Sequence, residues 1–168
     1  MNRNFIPRRG LTVIVASLAL LFGFSSCPAQ GPVPTSGSGS AYSIPQAQLI
    51  QPEALQHLLQ ARGVEQPLVL QVGSHVLYAE AHIPSSAYAG PGSEATGLQT
   101  LRNKVASLSH KQFIVLYCGC CPWNHCPNIG PAFQQLHQLG YTNVKVLYLA
   151  DNFGADWVDR GYPVEHGR

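Results

Sequence analysis

A short β-branched and aromatic run, Phe113–Ile114–Val115–Leu116–Tyr117, passes directly into Cys118–Gly119–Cys120–Cys121–Pro122–Trp123–Asn124–His125–Cys126–Pro127–Asn128. Four of the chain's five cysteines therefore fall within nine residues. The run predicts a buried strand. The apolar spacing from Ala132 to Leu139 predicts a helix just beyond the cysteines. A thiol between the top of a strand and the start of a helix faces backbone N–H groups and the positive end of a helix dipole. Both favour the thiolate over the thiol.

The first 27 residues read as a targeting segment. Arg3, Arg8 and Arg9 form a basic start, and Leu11 to Phe24 an apolar stretch of secretory-signal length. That stretch is shorter than the ~20 residues of a membrane-spanning helix. It ends in Phe24–Ser25–Ser26–Cys27, which resembles the lipobox of bacterial lipoproteins, although Phe24 stands where Leu is usual. The resemblance implies lipidation of Cys27 and an anchor on the periplasmic face of a bacterial membrane. Plain cleavage near Ala29 with release into the periplasm is the alternative. Residues 28–43 are rich in Pro, Gly and Ser and read as a flexible tether. Residues 44–168 remain, enough for one domain with its own core. The formal charge of +2 belongs to the targeting segment: from Pro28 onward, seven Lys and Arg face eight Asp and Glu. No basic stripe is interleaved with aromatic residues, which argues against a nucleic-acid partner.

Within the domain, Pro52 to Ala61 predicts a helix with Pro at its first position and Leu55, Leu58 and Leu59 on its apolar face. Leu68 to Val72 predicts a buried strand, His75 to Ala81 a turn or short helix, and Ala87 to Ala89 a brief strand. Leu98, Leu101, Val105 and Leu108 recur at helical spacing. After the cysteines come a helix over Ile129 to Leu139, a strand over Val144 to Leu149 and a last helix over Phe153 to Arg160. Strands alternate with helices, which predicts an α/β fold with a mostly parallel sheet and helices on both faces.

Four separated segments resemble the rhodanese-like domain family. His82–Ile83–Pro84–Ser85–Ser86–Ala87 is similar to its "GHIPGA" segment, and Phe113 to Cys118 to its active-site strand and cysteine. Leu136 to Val144 is similar to its "LxxxGYxNV", and Trp157 to Val164 to its closing "W…GYPV". The order agrees from Leu49 to Val164. The resemblance implies a single domain with a five-stranded, mostly parallel sheet, and it implies that Cys118 carries sulfur as a persulfide. The loop after Cys118 is longer than such domains usually carry, and it holds no Lys or Arg before Ile129. Gln71–Val72–Gly73 stands where the family has Asp-x-Arg. Without a guanidinium to clamp an oxyanion, phosphatase, arsenate-reductase and thiosulfate chemistry are all disfavoured.

Three functions remain open on the residues. The first is sulfur or thiol transfer: Cys118 is the nucleophile, Cys121 or Cys126 the candidate resolving thiol, and Gly119, Cys120, Trp123 and His125 shape the loop. Its partners would be a small thiol, a sulfane-sulfur donor or acceptor, or a protein thiol. The second is a soft-metal site for copper or zinc on Cys118, Cys120, Cys121 and Cys126, with His125 near. The third is a non-catalytic interaction module stapled by two disulfides. Cys118-x-x-Cys121 also resembles a thioredoxin active site, but too little chain follows for that fold. No Gly-rich phosphate motif appears, so no organic cofactor is expected. His82 is expected to order the turn before Pro84, Trp157 to sit in the core, and Trp123 either to cover the thiol or to pack on the domain. Glu80, Asp151, Asp156 and Asp159 are expected to be surface acids.

Overall fold

The computed structural model describes residues 44–167. The targeting segment over 1–27, lipidation at Cys27 and the tether over 28–43 lie outside the described residues. Among the described residues, no helix is long and apolar enough to cross a membrane.

Five parallel strands form one sheet: β1 (Leu49–Ile50), β2 (Leu68–Gln71), β3 (Ala87–Tyr88), β4 (Ile114–Tyr117) and β5 (Val144–Leu147), in the order β1-β5-β4-β2-β3. Every ladder is parallel, so the expected mostly parallel sheet is fully so. An isolated antiparallel bridge joins His82 to Glu165 outside it. The residue patterns gave four of the strands. They missed β1, whose two residues are too few to show a period and which pairs only with β5.

Among the described residues, four α-helices connect and cover the strands: α1 (Pro52–Gln60), α2 (His75–Glu80), α3 (Ala95–Val105) and α4 (Ile129–Gln138). Pro52 opens α1 at a position that has no intrahelical N–H bond to lose. The Gln66 side chain donates to the carbonyls of Leu58 and Ala61 at its end. Ser74 caps α2 by accepting from the Val76 N–H at 3.2 Å. Behind α4, Tyr141 N donates to the Leu136 carbonyl and Gly140 N to the His137 carbonyl, a Schellman closure.

Side-chain alternation along β4 divides the core in two. Ile114 and Leu116 face Leu101 and Val105 of α3 and Ala132, Phe133 and Leu136 of α4. Val115 and Tyr117 face Leu55 of α1, Ile83, Phe153 and Trp157. Helices therefore lie on both faces. The last segment differs from expectation. Gly154–Val158 winds as a single π turn, in which Asp159 N donates to the Gly154 carbonyl at 2.9 Å. Asp156 is buried there and not a surface acid: its carboxylate accepts the N–H groups of Asp151 at 2.7 Å and Asn152 at 3.1 Å. Trp157 is 1% exposed, as expected of a core residue, and its Nε1 donates to the Pro163 carbonyl at 2.8 Å.

The topology also fixes where a site can open. After β2 the chain moves outward to β3, whereas after β4 it moves the other way to β5. β2 and β4 are neighbours in register, Gln71 beside Tyr117. The loops leaving their ends diverge, and a crevice opens at this switch point.

Candidate functional site

Cys118 is the first residue past β4, at the switch point. It continues the strand's alternation toward the α3 and α4 side, and it is buried. Gly119 follows with φ +82°, in the left-handed region, and turns the chain back. A Cβ there would stand 2.7 Å from Cβ of Phe153, so glycine is required for space as well as for conformation. The Gly119 carbonyl accepts from Phe153 N at 3.1 Å, which ties the loop to the segment after β5.

This turn folds Cys120 over Cys118, with their sulfurs 3.2 Å apart. Cys126 joins them, and the three sulfur atoms all lie within 4.8 Å of one another. Cys118 and Cys126 are buried, and Cys120 is exposed. Cys121 stays outside this group. Its sulfur lies 3.0 Å from that of Cys120 and donates to the His125 carbonyl at 3.7 Å. The sequence spacing suggested Cys121 and Cys126 as the thiols nearest in role to Cys118, but the closest contact is made by Cys120. The Cys-x-Cys spacing with a left-handed glycine brings two sulfurs together more directly than Cys-x-x-Cys does here.

Asn128, which sequence reasoning passed over, is the polar centre of the site. It is buried just before α4. Its Oδ1 accepts from Ser93 N at 3.0 Å and Ser93 Oγ at 2.8 Å. That orients the amide so that Nδ2 donates to the Cys118 sulfur at 3.2 Å and approaches the Cys120 sulfur at 3.9 Å. The only signal in the sequence was an Asn at the foot of a helix, where helix capping is the ordinary reading. At the helix start, the backbone N–H groups of Asn128 and Ile129 pull down on the pKa of another thiol, Cys126.

Gln71–Val72–Gly73 closes the other side. Gln71 is buried, its Nε2 donates to the Cys118 carbonyl at 3.1 Å and its Oε1 accepts from Gly73 N at 3.1 Å. A Cβ on Gly73 would stand 2.8 Å from the Cys118 sulfur. Gln71 thus props the cysteine loop.

The electrostatics differ from the expectation of a lowered Cys118 pKa. The thiol hydrogen bonds toward Cys120 and Cys126, followed by burial, push Cys118 up. Cys120 is pulled well below the usual thiol range, because the S–H groups of Cys118 and then Cys126 point at it. Burial, then the bond to Cys120, raises Cys121. At Cys126 the Cys118 bond lowers the pKa, but the opposing Cys120 bond and burial leave it raised. These shifts favour the thiolate at exposed Cys120 and the thiol at buried Cys118 and Cys126.

The remaining loop residues are structural. Trp123 packs on Tyr148 with ring centres 5.2 Å apart, and its N–H donates to the Ala150 carbonyl at 3.1 Å. It thus packs on the domain. His125 is exposed and paired with the Asn124 side chain at 2.7 Å. His82 is buried, stacked on Tyr78 with ring centres 4.0 Å apart, and its Nδ1 meets the Tyr78 carbonyl at 2.8 Å. It orders the turn, as expected.

A cleft of about 510 Å³ opens onto Cys118 and Cys120. Leu77, Ala81, Phe153 and Val158 give it an apolar wall, and Glu80 and His166 stand beside it. Among the described residues lining it there is no Lys or Arg.

The sequence matches no protein-family model and no curated protein. Solved structures resemble it in fold. The rhodanese-like domain of the Alr3790 protein from Anabaena sp aligns over 71% of this chain and 79% of its own, at 19% identity and a TM-score of 0.54. A crystal structure of the Alr3790 protein aligns over 70% of this chain and 92% of its own, at 21% identity and a TM-score of 0.52. The BH2092 protein from Bacillus halodurans aligns over 70% and 75%, at 25% identity and a TM-score of 0.54. The all-parallel five-stranded sheet, the helices on its two faces and these neighbours together identify the fold of this chain as rhodanese-like.

Proposed function

We propose that the protein transfers sulfur through Cys118, with Cys120 as its resolving thiol. The observation that carries this reading is the packing of Cys118 at the switch point, 3.2 Å from the sulfur of Cys120 and 3.2 Å from the Asn128 amide, on the floor of an open cleft.

Cys118 gives up its proton to water and attacks the outer sulfur of a persulfide donor as the thiolate. The donor's S–S bond breaks, a new S–S bond forms on Cys118, and the donor leaves as a thiolate. The Asn128 amide favours the anionic persulfide. Two discharges balance. An acceptor thiolate can take the outer sulfur, which leaves Cys118 as a thiolate. Alternatively, Cys120 attacks the inner sulfur, which closes a Cys118–Cys120 disulfide and releases hydrosulfide. An external dithiol then restores both thiols. The cation-free lining favours thiol and persulfide substrates over thiosulfate. The apolar wall suits a protein thiol or a small apolar one.

On the same proposal, the protein would act outside the cytoplasm. Residues 1–27 would direct export, Cys27 would carry the lipid, and residues 28–43 would tether the domain to the periplasmic face of a membrane. Fractionation of cells that express the wild type and Cys27→Ala tests this part: release of the variant supports an anchor, and equal membrane association overturns it.

The experiment for the chemistry is mass spectrometry of reduced protein after exposure to a persulfide donor. One added sulfur on the peptide that carries Cys118, absent in Cys118→Ser, is expected. Unchanged loading in that variant, or two reduction-resistant disulfides among the four loop cysteines in native protein, would sink the reading.

A further inference from the structure

We infer that Cys118, Cys120 and Cys126 form a three-coordinate thiolate site for monovalent copper, an occupancy beyond sulfur transfer that excludes it while the ion is held. Three soft donors converge, their sulfurs all within 4.8 Å of one another, and among the described residues no carboxylate or imidazole joins that group. Thiolate-metal bonds are about 2.3 Å, so three sulfurs around a planar ion stand about 4.0 Å apart. The observed triangle, with its shortest recorded edge 3.2 Å, closes on an ion with small side-chain rotations. Four-coordinate zinc would need a further ligand. The nearest thiol, Cys121, lies 3.0 Å from the Cys120 sulfur but outside the three sulfurs that are mutually within 4.8 Å, and the His125 ring is paired with Asn124. Soft thiolates in low coordination number select monovalent copper.

The surroundings fit the charge. Binding forms three copper–sulfur bonds and releases whatever protons the three sulfurs carry, with no change in oxidation state. The product carries two net negative charges. Asn128 donates to the Cys118 sulfur and approaches that of Cys120, and the ten-residue α4 begins at Ile129, just past Cys126. Cys120 is exposed on the cleft and offers an entry path, while the other two ligands are buried.

The test uses the full-length reduced protein without oxygen. Monovalent copper is titrated against bicinchoninate as competitor, and the thiols left open are then alkylated and mapped by peptide mass spectrometry. One equivalent should bind, with Cys118, Cys120 and Cys126 protected and Cys121 labelled. Cys121→Ser should bind as the wild type does, whereas Cys120→Ser and Cys126→Ser should each lose about 100-fold in affinity. Cys120 is exposed, so its variant keeps the test sound if the buried Cys126 variant fails to fold. Retention of the copper by the competitor overturns the inference. So does protection of Cys121, or a loss in Cys121→Ser as large as in Cys120→Ser. Tighter binding of zinc through four thiols overturns it too. Sulfur loading of metal-free protein is read separately, so a failure of either proposal leaves the other standing.

Discussion

Two clefts lie near opposite ends of β2. The larger, about 610 Å³, sits beside Pro67 and Val69 near the strand's start and is walled by Gln56, Leu59, Trp157 and Pro163. The smaller, about 510 Å³, sits at the strand's end against Gln71 and the first residues of the cysteine loop. Volume favours the first and chemistry the second. The larger cleft has prolines, aliphatic stems and a single cation, Arg62, on its lining. The smaller has two thiols whose proton affinities are driven apart. The difference follows from topology. Where neighbouring parallel strands send their chains in opposite directions, loop backbone and helix ends converge on open space.

The comparison can be broken most decisively at Cys118. Cys118→Ser should abolish sulfur loading, at least about 100-fold down in rate, as expected for loss of the nucleophile. Gln56→Ala, in the larger cleft, should leave loading unchanged. An equal loss in both, measured by mass spectrometry of the loaded protein, would make the two clefts indistinguishable.

The next effect is on pH dependence. Cys120 is held below the ordinary thiol range, so its thiolate survives as pH falls through about 8.5, where an unperturbed thiol gains its proton. Between pH 8 and pH 6, alkylation of Cys120 should change little, while an ordinary thiol slows nearly 100-fold. A Cys120 rate that follows the ordinary curve would remove the electrostatic distinction between the clefts.

Asn128 tests the same point from the donor side. Asn128→Ala removes the N–H that meets the Cys118 sulfur. A hydrogen bond to a charged group contributes about 1.5–3 kcal/mol, so loading should fall roughly 10- to 100-fold. Asn128→Asp should do worse, because it sets a carboxylate against the sulfurs. Activity equal to the wild type in both would make Asn128 a helix-end residue and nothing more.

The smallest expected effect is on stability. Gly119→Ala puts a Cβ against Phe153 in a left-handed conformation and should cost about 1–3 kcal/mol, read as a lower denaturation midpoint. It should also slow loading, because it moves Cys120 away from Cys118. A stability loss without a loading defect would separate the loop's shape from its chemistry.

Much of the frame was legible in the residues. The pattern from Leu68 onward located the central strands, because buried parallel strands are short apolar runs. Pro52 and Gly140 marked helix ends, and the segments around His82, Gly140 and Trp157 carried the resemblance to the fold. Cys118 was legible as the residue that leaves the central strand. β1 was not, since two residues carry no period. The π turn was not, because Phe153 to Arg160 has the composition of an ordinary helix. Asp156 looked like one acid among three until the N–H groups of Asp151 and Asn152 folded onto it.

The amino-acid order by itself determined that four thiols crowd one loop behind a buried strand, and that no guanidinium stands among them. Only the tertiary structure decided which thiols meet. Gly119 turns Cys120 back over Cys118, the approach to α4 brings Cys126 in from the far end of the loop, and Cys121 touches Cys120 without joining the three. Spacing along a chain limits which sulfurs can approach. Backbone turns and the packing of Phe153, Ser93 and Asn128 select among them, and those contacts join residues far apart in sequence.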